Sequence, residues 1–299
     1  LKTNTCEEPN SVHGPLRLPR RGESDMSKRF VILGAGESGV GAALLAKQQG
    51  YEVFVSDGSS LKEEYRTELQ EAGIAYEEGR HTEARILDAD EVMKSPGIPE
   101  KAEIVRKIRA KGIGIISEVE LAYRFKGNSK IIAITGSNGK TTTTALTYHI
   151  CKEAGLDCAM VGNIGDSFAR QVAVSPKPLY VVEVSSFQLD DIKTFRPDIA
   201  ILTNITEDHL DRYDYQFENY IRSKFRITMN QQEDDHFIYC ADDEVTMKYL
   251  NLPKAFGINI QSNQLPISMK RELPNGAFIK DGDMYVRTGQ DFTNMSVFD

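Results

Sequence analysis

The sequence predicts an α/β protein of two successive units, the first built on a parallel sheet and the second on a phosphate-binding loop. Two glycine-rich stretches carry that expectation. In the first, the apolar run Phe30-Val-Ile-Leu33 meets Gly34-Ala-Gly36-Glu-Ser-Gly39 and an Ala/Leu-rich helix ending near Gly50. Residues 52–56 then alternate as a second strand that closes on Asp57. This is the Gly-x-Gly-x-x-Gly fingerprint of a Rossmann-like unit with an acid after its second strand. A ribose-bearing nucleotide could sit on the turn at residues 36–39, with Asp57 accepting from a hydroxyl or a base edge. Equally, these glycines could serve only close helix–strand packing.

In the second stretch, the apolar run Ile131-Ile-Ala-Ile134 leads into Gly136-Ser-Asn-Gly-Lys-Thr-Thr142. Backbone N–H groups of such a loop and the positive end of the following helix, expected from Thr141, face an anion, and Lys140 neutralises its outer oxygens. Thr141 stands where these loops place a hydroxyl on Mg²⁺. The full Walker pattern wants a glycine six residues before Lys140, and Ile134 occupies that position, so the motif is the shorter Gly-x-x-Gly-Lys-Thr form. The reading is an ATP site made by Gly136, Ser137, Asn138, Gly139, Lys140, Thr141 and Thr142. The competing reading is a Gly/Thr-rich turn without nucleotide.

A chain of 299 residues is long enough for about two domains. A net charge of −8 and a pI near 5.3 argue against a nucleic-acid binder, whose footprint is usually basic. Four cysteines without paired metal spacing read as reduced thiols of a cytosolic protein. No apolar run approaches the roughly 18 residues of a membrane span. Residues 1–25 are rich in Pro, Arg and Ser, lack the hydrophobic segment of a signal peptide, and precede a natural start at Met26. They read as a disordered extension.

Further along, Ser60-Leu-Lys-Glu63 predicts a capping box opening a helix to about Gly73, and strands are expected at 74–76 and 91–94. The second ends in Ser95-Pro96-Gly97-Ile98-Pro99, a rigid turn where α/β sheets bind ligands. A helix at 100–111, a strand at 113–116 and a second capping box at Ser117 and Glu120 complete the unit, read as 26–124. Residues 125–130 read as the linker to a second unit at 130–299. There the loop helix runs to about Ala154, and strands are expected at 158–161, 179–184, 198–202, 235–239 and 254–258. A polar, aromatic helix at 217–229 carries Lys224. Asp281-Gly282 between residues 277–280 and 284–287 is a hairpin signal. Glu183, late in its strand, occupies the place of a second Mg²⁺ ligand. His209 and Lys224 by themselves read as solvated residues.

Together these segments resemble the Mur ligase family. The resemblance rests on Thr135-Gly-Ser-Asn-Gly-Lys-Thr-Thr142, Gly162-Asn-Ile-Gly165, Glu183-Val-Ser-Ser-Phe-Gln-Leu189 and Asn204-Ile-Thr-Glu-Asp-His-Leu-Asp-Arg212. The Ser-Ser-Phe-Gln-Leu segment behind a Rossmann-like unit is similar to the D-glutamate-adding branch. The resemblance implies an ATP-dependent amide ligase of peptidoglycan precursor synthesis, cytoplasmic and monomeric. It would join D-glutamate to UDP-N-acetylmuramoyl-L-alanine through an acyl phosphate. It further implies that Ser38, Asp57, Ser95, Pro96 and Gly97 surround the UDP part, with Asn163 and Ser185 near the reacting carboxylate. It puts one Mg²⁺ on Thr141 and Glu183 and a second on His209 and Lys224, the lysine as a carbamate. The catalytic set would be Lys140, Glu183, His209 and Lys224. The family carries a third domain that this chain does not reach, so no D-glutamate site is assigned. Open alternatives are a nicotinamide-dependent dehydrogenase, another amide ligase of the superfamily such as a folylpolyglutamate synthase, and a non-catalytic nucleotide-binding fragment.

Overall fold

A computed structural model describes residues 27–252, 257–288 and 291–296. The expected extension at 1–25 lies outside these residues, as do residues 254–256 of the strand expected at 254–258; residues 257 and 258 are not in a strand.

The first ten elements are β1 (Arg29–Leu33), α1 (Glu37–Gln48), β2 (Glu52–Asp57), α2 (Glu63–Glu71), β3 (Ala75–Glu78), α3 (Glu83–Ile86), β4 (Glu91–Lys94), α4 (Glu103–Ala110), β5 (Gly114–Ile116) and α5 (Glu118–Phe125). Their strands form one parallel sheet in the order β3-β2-β1-β4-β5. The chain leaves β1 in one direction and later returns to its other side at β4. The crevice at the carboxyl ends of these two strands is therefore the switch point where such sheets take ligands. β1 shows why its sequence is an unbroken apolar run. Phe30 and Ile32 enter one core cluster and Val31 and Leu33 another, because a parallel strand is buried on both faces.

The second sheet uses β6 (Lys130–Thr135), α6 (Lys140–Glu153), β7 (Cys158–Gly162), α7 (Phe168–Val174), β8 (Leu179–Glu183), α8 (Ser186–Asp190), β9 (Ile199–Leu202), α9 (Phe217–Phe225), β10 (His236–Cys240), α10 (Glu244–Asn251), β11 (Asn263–Ser268), β12 (Gly276–Lys280), β13 (Asp283–Thr288) and β14 (Asp291–Ser296). The order is β14-β13-β12-β11-β10-β9-β6-β8-β7, parallel from β7 through β12 and antiparallel at β13 and β14. Asp281 and Gly282 both take positive φ, 53° and 88°, as the expected two-residue hairpin requires. Strands β11 and β14 and helices α3, α7, α8 and α10 were not expected from the sequence.

Neither expected capping box forms. Lys62, not Ser60, precedes α2, because Leu61 N–H is already given to Glu78 at the end of β3 (2.7 Å). Ser117 does precede α5, but its hydroxyl caps nothing. Its partner Glu120 turns away, accepting from the N–H groups of Lys193, Thr194 and Phe195, each at 2.9 Å. A capping box does form at Ser185 and Gln188, opening α8.

One core cluster runs without a break from β1 through α1, α5 and α7 to β8 and β10, so the two sheets share a hydrophobic interior. Charged groups cross the same junction. Arg170 on α7 pairs with Glu37 (2.6 Å) and Glu68, and Lys94 pairs with Asp191 (3.1 Å). Glu118, fully buried, accepts from Ser167 Oγ (2.8 Å) and Ala169 N–H (2.5 Å), while its Oε2 has no hydrogen-bond partner. Burial raises its carboxyl from 4.5 to about 7 against the pull of those donors, with Glu37 adding to the rise. Between these values the native state holds a proton that the unfolded chain has lost, so stability falls as pH climbs from about 4.5 to about 7. Glu118→Gln should therefore melt higher than the parent at pH 8 and gain less at pH 5. A melting-temperature difference that does not vary with pH would contradict this assignment.

Candidate nucleotide and metal site

The carboxyl ends of β6, β8 and β9 lie side by side, since β6 is paired with both of the others. The loop after β6 is held against the chain after β9. Ser137 N–H donates to Asn204 O (2.9 Å), Asn138 N–H to Asn204 Oδ1 (3.0 Å), and Thr203 Oγ1 to Asn138 O (2.7 Å). Gly136 makes this clasp possible. A Cβ there would lie 1.8 Å from Thr203 Oγ1, and its φ of 151° is one that glycine tolerates. Two of the loop amides expected to cradle phosphate, those of Ser137 and Asn138, are thus bonded to Asn204. The N–H groups of Lys140, Thr141 and Thr142 open α6, where a helix offers no acceptor of its own. Asn204, Thr203 and Thr206 are the loop partners that sequence reasoning missed, because only the β6–β9 pairing brings them there.

Lys140 folds back over the loop, donating to Gly136 O and Ser137 O, both at 2.9 Å. Thr141 Oγ1 donates to Glu183 Oε2 (2.9 Å), and Glu183 Oε1 accepts from Asn163 Nδ2 (2.9 Å). Glu183 is 1% exposed, and its side-chain partners Thr141 and Asn163 are neutral. A buried carboxylate beside a hydroxyl, with no Lys, Arg or His of the described residues at ion-pair distance, has the hard oxygen donors that Mg²⁺ takes. The loop cations and free helix amides likewise suit a polyphosphate. Among the described residues, no group of three or more His, Cys, Asp and Glu side chains is gathered as a metal site.

Lys224 on α9 is 1% exposed and donates to Gly136 O (2.7 Å) with its ammonium 4.5 Å from the Tyr220 ring. Burial first, and then the Lys140 charge, push its pKa from 10.5 down to about 7; Asp208 and Asp190 act in the opposite sense. His209 sits at the start of a 3-10 turn, Leu210–Arg212, in left-handed backbone (φ 50°). Its Nε2 is 3.5 Å from Asp208, and its ring packs 5.1 Å from that of Phe187. Lys140, Thr141, Glu183, Asn163 and Lys224 are thus gathered at the loop, whereas His209 is placed against Phe187. Ser185 spends its hydroxyl on the α8 cap, with Gln188 N–H at 3.3 Å.

The first-unit residues meet at the β1/β4 crevice. Ser38 lies in the first turn of α1. Asp57 holds the glycine-rich turn, accepting from Ala35 N–H (2.7 Å) and Ser59 N–H (2.8 Å), so each oxygen keeps one lone pair for a ligand. Ser95 N–H is bonded to Leu33 O, and a Cβ on Gly34 would lie 2.7 Å from Ser95 Oγ, so the two turns abut. Pro96 O accepts from Arg212 of the second unit (3.1 Å), and Gly97 lies in the same turn.

Both units of the chain are similar to known proteins. A family profile described as the MurD N-terminal domain matches residues 29–104, and one described as the Mur ligase middle domain matches residues 134–273. UDP-N-acetylmuramoylalanine–D-glutamate ligases from Christiangramia forsetii and Bacteroides fragilis are 51% and 52% identical over 261 and 259 residues. Each match covers 87% of this chain and 57% of the relative, so the chain spans little more than half the length of these relatives. Among solved structures, UDP-N-acetylmuramate:L-alanyl-gamma-D-glutamyl-meso-diaminopimelate ligase from Neisseria meningitides aligns with a TM-score of 0.57 at 20% identity, over 89% of this chain and 86% of that one. At that identity the likeness concerns the fold. No helix among the described residues is long and apolar enough to cross a membrane.

The lowered pKa of Lys224 has a consequence for stability. Between about 7 and 10.5 the unfolded chain binds a proton that the native state lacks, so stability rises with pH across that window. Lys224→Met keeps the stem and removes the buried amine. It should melt above the parent by a few degrees at pH 6.5, with the gain shrinking toward pH 9.5. A loss of stability at both pH values would show that the bond to Gly136 outweighs the burial of the amine.

Proposed function

This chain belongs to the Mur ligase family, and we propose that it is the UDP-substrate- and ATP-binding part of a ligase that adds D-glutamate to UDP-N-acetylmuramoyl-L-alanine. The unit at 26–124 takes the UDP end at Ser38, Asp57 and the Ser95-Pro96-Gly97 turn. The unit at 130–299 takes ATP at residues 136–142. The observation that carries this reading is the gathering of Lys140, Thr141, Glu183 and Lys224 around one loop at the carboxyl end of a parallel sheet.

The reaction joins two anions, since the L-alanyl carboxylate must attack the γ-phosphate of ATP. Lys140 reaches the loop mouth and stabilises the charge spread over the transferring phosphoryl group. Thr141 and Glu183 would hold one Mg²⁺, which when bound offsets the same charge. The second, which the resemblance implies on His209 and Lys224, has less support, since His209 packs on Phe187 and Lys224 on the loop. Attack of the carboxylate oxygen on the γ-phosphorus breaks its bond to ADP, which leaves, and gives the acyl phosphate. The D-glutamate amine then attacks the acyl carbon, the C–O bond to phosphate breaks, and loss of a proton from nitrogen gives the amide and phosphate. Lys224 fits the carbamate role because the reaction with CO₂ needs a neutral amine. The nitrogen lone pair forms the C–N bond and one proton leaves, turning a cation into an oxygen ligand. A pKa near 7 supplies that amine at neutral pH. A cytoplasmic monomer is what the family resemblance implies.

Titration calorimetry with UDP-N-acetylmuramoyl-L-alanine, with NAD⁺ in parallel, tests the first unit. Binding of the UDP compound, weakened about tenfold or more by Asp57→Ala, is expected, with no heat from NAD⁺. The reverse result would return the chain to the dehydrogenase reading. For the second unit, Mg-ATP should raise the melting temperature of the parent. Lys140→Ala should melt as the parent does without nucleotide and lose most of that rise. An equal rise in both proteins would remove Lys140 from the phosphate site.

A further inference from the structure

Arg212 ends the Asn204-to-Arg212 motif, and the function just proposed gives it no task. Its Nη2 donates across the junction to Pro96 O (3.1 Å) and Ile98 O (3.4 Å), both in the turn that would take the UDP end. The guanidinium face lies 4.2 Å from the centre of the Phe187 ring. Phe187 in turn meets the His209 ring at 5.1 Å and stacks on Tyr213 at 5.9 Å and 13°. Tyr213 is anchored by its hydroxyl on Asp190 (2.8 Å), and Arg212 N–H closes the 3-10 turn on His209 O (2.9 Å). Phe187 is therefore enclosed by Arg212, Tyr213 and His209. His209 has left-handed backbone and one ionic neighbour, Asp208 at 3.5 Å, so its ring orientation depends chiefly on Phe187.

We infer that Arg212 is a positioning residue, which transmits occupancy of the Ser95–Ile98 turn through Phe187 to His209. The physical basis is the shape of its side chain. A planar guanidinium can grip two carbonyl oxygens with its edge while its face stays flat on an aromatic ring. A shift of the turn carbonyls on nucleotide binding would tilt that plane, and a packed ring cannot stay still when its lid tilts. The inference rests on the proposed reading that the turn takes a uridine diphosphate.

UDP itself is the probe, because it lacks the N-acetylmuramoyl-L-alanyl part whose carboxylate reacts at the phosphate loop under the proposed reading. The chain has five histidines, so a spectrum of ring-labelled histidine is sparse, and His209 is identified by the signal lost in His209→Gln. At fixed pH and saturating UDP, the His209 resonance should shift in the parent. Arg212→Met keeps the aliphatic stem but has no donor, and Phe187→Leu keeps the Arg212 donors but has no ring. Both should still bind UDP by calorimetry and lose the His209 shift, and Arg212→Lys should regain part of it. A His209 shift of parental size in Arg212→Met, or a silent His209 in a parent that binds UDP, overturns the inference and leaves the proposed function standing. Absence of UDP binding in the parent overturns both. Should Arg212→Met fail to fold, Phe187→Leu and Arg212→Lys decide alone.

Discussion

The carbonyl oxygen of Gly136 accepts from two lysines at once, Lys140 at 2.9 Å and Lys224 at 2.7 Å, and much of the second unit follows from that meeting. Two ammonium groups on one neutral acceptor repel each other, and no carboxylate of the described residues lies at ion-pair distance from Lys224. Burial decides which of them gives way. Lys224, inside α9, is the one whose pKa falls, to about 7, chiefly through burial and then through the Lys140 charge. The arrangement needs a residue without a side chain at 136, because Thr203 occupies the space where a Cβ would stand. Gly136 thus fixes the approach of β9 to the loop, and the loop fixes the start of α6.

The junction between the sheets contains two buried acids on one helix that titrate in opposite directions. Glu120 is desolvated but has three backbone N–H groups, the Thr194 hydroxyl at 2.7 Å and Arg124 at 3.1 Å, and its pKa is lowered. Glu118, two residues earlier, has its pKa raised first by burial. Fewer donors offset that rise, namely the Ser167 hydroxyl and the Ala169 and Phe168 N–H groups, and the like charge of Glu37 lies nearby. The difference lies in donor supply, since both side chains are fully excluded from water. Glu120 binds the 193–195 segment as an anion. Glu118 is most favourable there as a neutral acid whose one bonded oxygen steadies the start of α7. That start follows the turn carrying Asn163, so the junction also reaches Glu183.

How much of this was legible in the sequence depends on how local each cause was. The phosphate loop, the Gly34–Gly39 turn and the Asp281-Gly282 hairpin were readable because their residues meet backbone demands set within a few positions. The capping boxes at Ser60 and Ser117 were local signals overruled from a distance, one by Glu78 on a neighbouring strand and the other by a chain segment more than seventy residues away that claims Glu120. Ser185 was read through the family resemblance as a substrate contact, and its cap with Gln188 went unseen. The clasp of Asn204 on the loop could not be read at all without the β6–β9 register. His209 and Lys224 were singled out only by resemblance. Nothing in their spacing distinguished them from solvated residues, and burial, which does distinguish Lys224, is a property of the fold.

Glu183 shows how far geometry can go without a ligand. Its carboxylate is buried, bonded to an amide and a hydroxyl, and accompanied by no cation of the described chain. Such a group is stable as an anion only where donors or a cation replace the water it has lost. Thr141 and Asn163 supply one donor each, which leaves the remaining lone pairs turned to the space beside the loop. Lys140 directly precedes Thr141, yet its ammonium is bound to the carbonyls of Gly136 and Ser137, three to four residues back in the loop, rather than to Glu183. The side chain that could have neutralised Glu183 is held apart from it, and this separation keeps both charges available. Under the proposed function, a polyphosphate with a divalent cation would satisfy the two together, the phosphate drawing on the lysine and the cation on the carboxylate.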